Sequence, residues 1–457
     1  MDLSNPTQHI AVYQRRRAAL LAQMQAAGGG IAVIETAPEL HRNADSEFPY
    51  RFDSNFYYLT GFSEPGAALV LIAGAGSATA AQSILFCREK NEEREIWDGY
   101  RYGPAAAREL FGFTAAHDID SFETKLKELM ANQPTVWALM GAGLDARIAK
   151  SVEHLRERSR SGQLAPTSVR DLAPLLGEMR LIKDAHELAI MREAGRISAA
   201  AHVRAMRACK PGLREYHLEA ELLYEFRRQG AESPAYTSIV GTGANSCILH
   251  YRAGNTEIRN GDVVLIDAGC ELHGYASDIT RTFPANGKFS GEQRAIYELV
   301  LAAQEASIAA VRSGRRFSDY HEASVRTLTD GLIQLKLLEG TVDGAIESLA
   351  YRRFYMHGAG HWLGLDVHDA GEYMDINAPY NAEAPESKRR ARRLLVPGMV
   401  VTVEPGLYIR PAKDIPEGFW NIGVRIEDDI VVTETGHENL TRGVPVAVAE
   451  IEALMRG

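Results

Sequence analysis

The stretch Val263-Val-Leu-Ile-Asp-Ala-Gly-Cys-Glu-Leu-His-Gly-Tyr-Ala-Ser-Asp-Ile-Thr-Arg-Thr-Phe283 constrains this chain more than any other. It reads as an apolar strand, a short turn near Leu272-His273-Gly274 and a second strand running back. A turn symmetric about Leu272 and His273 sets Asp267 opposite Asp278 on one face of the ladder, with Cβ atoms roughly 5 Å apart. Two carboxylates among Val, Leu and Ile repel where water is scarce, so one pKa rises and a proton or a cation has to be shared. Leu-His is not a favoured turn pair, and a bulge would change the register. The ordinary alternative has one Asp capping a turn and the other meeting Arg281. A lone pair of aspartates would favour that alternative; the remaining segments tip the balance.

With 457 residues the chain has room for two or three domains, each with its own core. A net charge of −10 argues against a general nucleic-acid binder, which needs a basic face. Cys87, Cys209, Cys247 and Cys270 are scattered without a C-x-x-C spacing, which predicts free thiols in a reducing compartment. The apolar run Ala18–Ala22 after Arg15-Arg16-Arg17 is too short for a signal-peptide core. No stretch approaches the roughly 20 apolar residues that cross a bilayer. The expectation is a cytoplasmic protein with neither a membrane nor a nucleic-acid partner.

Strand-like runs at 31–34, 67–72 and 83–86 alternate with helical stretches at 9–27, 104–111 and 119–131, which predicts an α/β domain over residues 1–172. The charged segment 88–95 reads as a solvated connection, and Trp97 as a lid over a core edge or a wall of a binding site. A second domain over 173–457 opens with two helices, about 184–209 and 214–229, followed by strands. Two more helices, 291–311 and from 318, precede a second set of strands. Glu215-Tyr-His217 and Asp319-Tyr-His321 hold similar places in the two pairs, so a duplicated helix-helix-strand unit with a cleft between its halves is expected. Residues 374–393, with Lys388-Arg-Arg-Ala-Arg-Arg393, read as a mobile surface excursion.

Three further segments supply ligand atoms. His357-Gly-Ala-Gly-His361 has the i,i+4 spacing of a zinc helix, yet its glycines discourage helix and no Glu follows His357. With His368 it puts three histidines on a glycine-rich loop. Thr402 and Glu404 share one face of the strand Val400–Val403, which Pro405 ends. Arg425 and Glu427 share a face among Val and Ile, which predicts a buried pair rather than a surface one. Burying Asp267, Asp278, Glu404 and Glu427 together is prohibitively costly without compensation. Two divalent cations with bridging carboxylates, completed by His361, would neutralise them. Oxygen-rich ligation without thiolate suits Mn²⁺, Co²⁺ or Mg²⁺.

The segments IDAGCELHGYASDITRTF, HGAGHWLGLDVHD, VTVEPGLYI and GVRIEDDIVVT resemble the pita-bread metallopeptidases, and ILHY at 248–251 fits as well. RNADSEFPYRFDSNFYYLTGFSEPGAALVLI at 42–72 resembles the N-terminal half of the aminopeptidase P branch, so the likeness covers nearly the whole chain. The resemblance implies an α/β N-terminal domain ahead of an α+β pita-bread catalytic domain holding two divalent metals, foremost Mn²⁺, with Co²⁺, Zn²⁺ or Mg²⁺ as alternatives. It implies that Asp267 chelates one metal, Asp278 and Glu427 bridge both, and His361 and Glu404 complete the other. A bridging hydroxide would attack the X-Pro carbonyl. Glu404 would move the proton to the prolyl nitrogen. His250, His357 and His368 would bind the substrate, His368 at the oxyanion. Tyr408 and Arg425 would shape the proline pocket and hold Glu427. Asp45, Trp97 and Arg160 would reach the site from a neighbouring subunit of a dimer or tetramer. The rivals are a prolidase confined to X-Pro dipeptides, a metal-free hydrolase of the creatinase type and an inactive pita-bread binding module.

Overall fold

The computed structural model describes residues 6–74, 81–141, 143–385 and 388–456. The chain divides into two compact units, Met1–Met179 and Arg180–Gly457. The expected boundary at 172/173 falls between the strand Ser168–Asp171 and the helix Ala173–Leu181, which carries the chain from one unit to the other.

The first unit is built on a six-stranded mixed sheet. Its order is Ala115–Asp118, Gln82–Cys87, Ala68–Ala73, Gly30–Glu35, Thr135–Ala138 and Ser168–Asp171. Central strands made of Ala, Val, Leu and Ile are buried on both faces, as expected where helices cover a sheet on each side. The first helix, Ile10–Ala26, stops at Gly28-Gly29-Gly30, all at positive φ. Gly30 must be glycine for a second reason: a Cβ there would lie 2.3 Å from the Thr135 carbonyl oxygen. The charged 88–95 segment is not a plain connection. Asn91 caps a helix, Glu92–Asp98, that buries no residue. Trp97 on it is 83% exposed and therefore lids no core of its own unit.

The second unit repeats a pattern. Helices Ala185–Ala208 and Glu215–Arg228 precede a three-stranded antiparallel sheet of Ile239–Thr242, Val263–Asp267 and Thr280–Pro284. Helices Gly291–Ala310 and Phe317–Gln334 precede another, of Val400–Val403, Asp428–Val432 and His437–Asn439. The sequence match between the pairs is displaced by two residues: Glu215 is the first residue of its helix, whereas Asp319 is the third of its own. The halves are stitched at Thr280, which pairs with Glu427, the Glu427 N–H donating to the Thr280 carbonyl at 3.0 Å. The 374–393 excursion is closed on itself. Asp375 and Asn381 donate backbone N–H groups to the Ala391 and Arg389 carbonyls, and the Arg390 guanidinium caps Ile376 O, so part of the basic cluster satisfies its own backbone.

Candidate metal centre

The Asp hairpin forms, with a register different from the expected one. Leu272 pairs with Tyr275 around His273-Gly274, whose φ values of 48° and 79° are those of a type I′ turn. Asp267 therefore faces Thr280, and Asp278 lies on the diagonal. Glycine at the second turn position decides this, because it takes positive φ without strain where Leu272 does not. A slip of two residues leaves both aspartates on the same face, so the chemistry survives the corrected register. Gly269 permits the close approach of the two strands; a Cβ there would lie 1.7 Å from the Ser277 carbonyl oxygen.

What joins the two carboxylates is Tyr236, whose hydroxyl lies 2.6 Å from Asp267 Oδ1 and 2.5 Å from Asp278 Oδ1. No sequence pattern marked it. It lies 31 residues from Asp267, just past the two-residue strand Ser233–Pro234. Asp278, His361 and Glu427 bring donor atoms within 4.8 Å of one another. Glu404 joins them, with His361 Nε2 3.8 Å from its Oε1 and 3.6 Å from Asp278 Oδ2. His361 Nδ1 lies 2.9 Å from the Trp362 carbonyl, which assigns the proton to Nδ1 and leaves the Nε2 lone pair facing the carboxylates. Thr402 fixes that loop, accepting the His361 N–H at 3.0 Å.

The electrostatics match an unfilled requirement for positive charge. Burial, with Asp267 and Asp429 nearby, pushes Asp278 well above the ordinary carboxylate range. Burial, with Asp278 beside it, does the same to Glu427. Glu404 is lifted by burial to about 7 despite Arg425. His361 is held down to about 4, by burial and then by His368. A divalent cation fits this donor set: three carboxylates short of partners and a neutral imidazole with its lone pair turned inward.

Arg425 is buried as expected, but its partner is different. Its Nη2 donates to Asp267 Oδ2 at 2.6 Å and its Nη1 to the Tyr408 hydroxyl at 2.9 Å. It reaches Glu427 only through Thr280, whose Oγ1 accepts from Arg425 Nε at 3.2 Å and donates to Glu427 Oε2 at 2.6 Å. Tyr408, 1% exposed, sits behind the cavity instead of shaping its wall. Its hydroxyl bonds His357 Nε2 at 2.9 Å, while His357 Nδ1 lies 2.7 Å from Gly358 O. Burial and Arg425 hold His357 neutral, at about 3, so both ring nitrogens are occupied by the protein itself. The cavity, of about 570 Å³, is lined by the five expected ligands, by His250, His357 and His368, and by Ile239, Leu249 and Val367. The His368 ring centroid is 4.1 Å from that of His361. Asp45, in the tip of the His41–Glu47 hairpin, and Trp97 are on the surface of the first unit.

Metallopeptidase family M24 matches residues 189–434, and the aminopeptidase P N-terminal domain matches 13–137. The chain is 48% identical to the Xaa-Pro aminopeptidase of Escherichia coli strain K12 over 97% of both chains. Its fold superposes on Pseudomonas aeruginosa aminopeptidase PepP with a TM-score of 0.92 and 50% identity, covering 98% of each chain. Zinc-substituted E. coli aminopeptidase P in complex with product gives a TM-score of 0.91 at 48% identity, again over 98% of each chain. These likenesses place the second unit in the pita-bread fold and do not favour the prolidase alternative. The chain belongs to metallopeptidase family M24, within its group of metal-binding Xaa-Pro aminopeptidases.

Proposed function

We propose that the second unit releases the N-terminal residue from peptides with proline in second position, using a pair of divalent cations held by Asp267, Asp278, His361, Glu404 and Glu427. The observation that carries this reading is the inward-facing His361 lone pair set among carboxylates that the fold leaves without cations of its own. Bound there, the metals supply Lewis acidity and lower the pKa of water. Manganese suits the four oxygen donors and single imidazole best.

The chain's own groups do the rest. Asp267, lining the cavity, accepts the substrate's free α-amine. Ile239, Leu249 and Val367 line a slot for the proline ring, and the X-Pro tertiary amide brings no N–H that would need a partner there. Glu404, on the cavity wall beside His361, takes a proton from the attacking water and gives it to the prolyl nitrogen, which must leave as an amine. His368 is pulled down by burial and then by His250, so it enters neutral and donates one N–H to the developing oxyanion. His250 binds the peptide beside it. His357 acts as a strut: Arg425, Tyr408 and His357 form one hydrogen-bonded chain behind the site. The first unit supplies oligomer contacts and, through Asp45 and Trp97, a wall of the site in a neighbouring copy; exposed Ile96, Trp97 and Tyr100 support this. Four buried free thiols suit a cytoplasmic setting. No helix among the described residues is long and apolar enough to cross a membrane.

The test is a peptide panel assayed with Mn²⁺. Arg-Pro-Pro and longer X-Pro peptides are expected to lose their first residue. Activity confined to X-Pro dipeptides would instead identify a prolidase.

A further inference from the structure

We propose that Arg252 is a specificity residue that binds a carboxylate of the peptide substrate. This rests on the activity proposed above and adds a charge preference that the metal site does not explain.

Two arginines line the catalytic cavity, Arg252 and Arg425. Arg425 is committed inward to Asp267, Tyr408 and Thr280. Among the described residues nothing pairs with Arg252, and its side chain is exposed on the cavity wall. The four carboxylates of the lining are Asp267, Asp278, Glu404 and Glu427, all placed at the metal centre. Once cations occupy that centre, Arg252 is the uncommitted charge left in the lining.

The backbone beneath Arg252 is unusually well held for a loop. Glu215, fully buried at the start of the helix Glu215–Arg228, accepts four hydrogen bonds. Its Oε1 takes the Thr242 N–H and the Asn245 side-chain amide, both at 2.9 Å. Its Oε2 takes the Tyr251 hydroxyl at 2.9 Å and the Gly254 N–H at 3.2 Å. Tyr251 and Gly254 flank Arg252, so one buried carboxylate braces the chain on both sides of it. Gly254 packs close against this brace: an added Cβ would come 2.9 Å from the Tyr251 hydroxyl. A fixed base reduces the entropy lost when the guanidinium fork closes on a carboxylate. The same segment carries His250, so substrate binding at His250 brings the peptide past Arg252.

The carboxylate has three possible sources: the side chain of the N-terminal residue, a side chain after the proline, or the C-terminus of a short peptide. Four peptides separate them: Ala-Pro-Gln-amide as neutral reference, Glu-Pro-Gln-amide, Ala-Pro-Glu-amide and Ala-Pro-Gln with a free C-terminus. Steady-state kinetics of the Mn²⁺-loaded full-length protein are expected to favour at least one acidic peptide over the reference by about threefold to tenfold in kcat/KM, carried by KM, as for a half-solvated charged hydrogen bond. Arg252→Gln should collapse that ratio towards one, and Arg252→Lys should restore part of it. Equal kcat/KM across the four peptides, or a preference that survives Arg252→Gln, overturns the assignment while leaving the aminopeptidase reading intact. Failure to cleave any of the four would remove both.

Discussion

Glu427 and Asp428 are consecutive and equally buried, at 2% and 0% exposure, yet they live in opposite electrostatic worlds. Asp428 Oδ1 accepts from Arg281 Nη2 at 2.7 Å and from the Thr441 hydroxyl at 2.9 Å; its Oδ2 accepts from Gln304 and Asn439 and is ion-paired with Arg442 at 3.2 Å. Burial opposes its ionisation, but Arg281 and Arg442 outweigh burial and hold Asp428 below the usual range. Glu427, on the other side of the chain, accepts one hydroxyl, from Thr280, and is pushed up by burial and by Asp278. Asp369 repeats the first case, clasped by Lys183 at 2.9 Å and Arg180 at 2.5 Å. Burial therefore does not distinguish a structural carboxylate from a ligand. What separates Asp278 and Glu427 from Asp428 and Asp369 is whether the fold supplies the cation; Asp267, paired with Arg425 at 2.6 Å, stands between the two cases.

The strongest way to break this comparison is to delete one carboxylate of each kind. Asp278→Ala is expected to abolish X-Pro cleavage, by more than about a thousandfold in kcat, because it removes one of the proposed metal ligands. The metal-free form of that variant should unfold no more easily than metal-free wild type, since the substitution relieves repulsion with Asp267 and Glu427. Asp428→Ala should do the reverse to stability. It strands Arg281, whose side chain is fully buried, and costs about 3–5 kcal/mol in denaturant unfolding of the catalytic unit. Equal destabilisation by the two variants would show that the distinction between the two kinds of carboxylate is wrong.

A milder test adds the missing charge. Mn²⁺ at 100 times its dissociation constant should stabilise the protein by about 2.7 kcal/mol, seen as a raised thermal midpoint that a chelator reverses. Asp278→Ala should lose most of that shift. Lys183→Met, which disturbs the protein-neutralised Asp369, should destabilise both forms alike and leave the metal-induced shift in place.

The five candidate ligands could be picked out of the sequence because each is an ionisable group set in an apolar or glycine-rich stretch, where solvation alone cannot explain it; the structure brings Asp278, His361 and Glu427 together. The turn at His273-Gly274 was within reach of the same reading: weighing the glycine over the symmetric midpoint would have given the Asp267–Thr280 pairing. Tyr236 and Glu215 were not legible, because a tyrosine hydroxyl and a helix-start carboxylate become significant only through partners 27 to 42 residues away. Arg425 was placed correctly in the interior and given the wrong partner for a related reason: strand alternation fixes a face and says nothing about which of several carboxylates on that face is nearest. Trp97 shows the limit from the other side. Its hydrophobicity suggested a covered position, and the helix Glu92–Asp98 leaves it in solvent.

The effect that reads the comparison most directly is the pH dependence of metal-induced stabilisation. In the metal-free protein Glu404 titrates at about 7 against an ordinary 4.5, and Asp278 and Glu427 are also raised. A carboxylate raised on folding holds a proton that the unfolded chain has already lost, so its contribution to stability is full below pH 4.5 and is lost as pH climbs through the folded value. Metal binding requires the ionised form and expels those protons. The metal-induced gain in stability should therefore rise with pH between about 4.5 and 7, by about 1.4 kcal/mol per pH unit for each proton displaced. Buried His202 and His321, both lowered to about 4 chiefly by burial, destabilise the fold as pH falls from 6.5, but they do so with or without metal and cancel in the difference. Asp428 and Asp369, held ionised by their arginines and lysine, add nothing to that slope. Thermal midpoints measured with Mn²⁺ and with chelator at each pH give the difference; a flat difference across the window would mean that the carboxylates at the cavity are already ionised, and that the fold neutralises Glu427 as completely as it does Asp428.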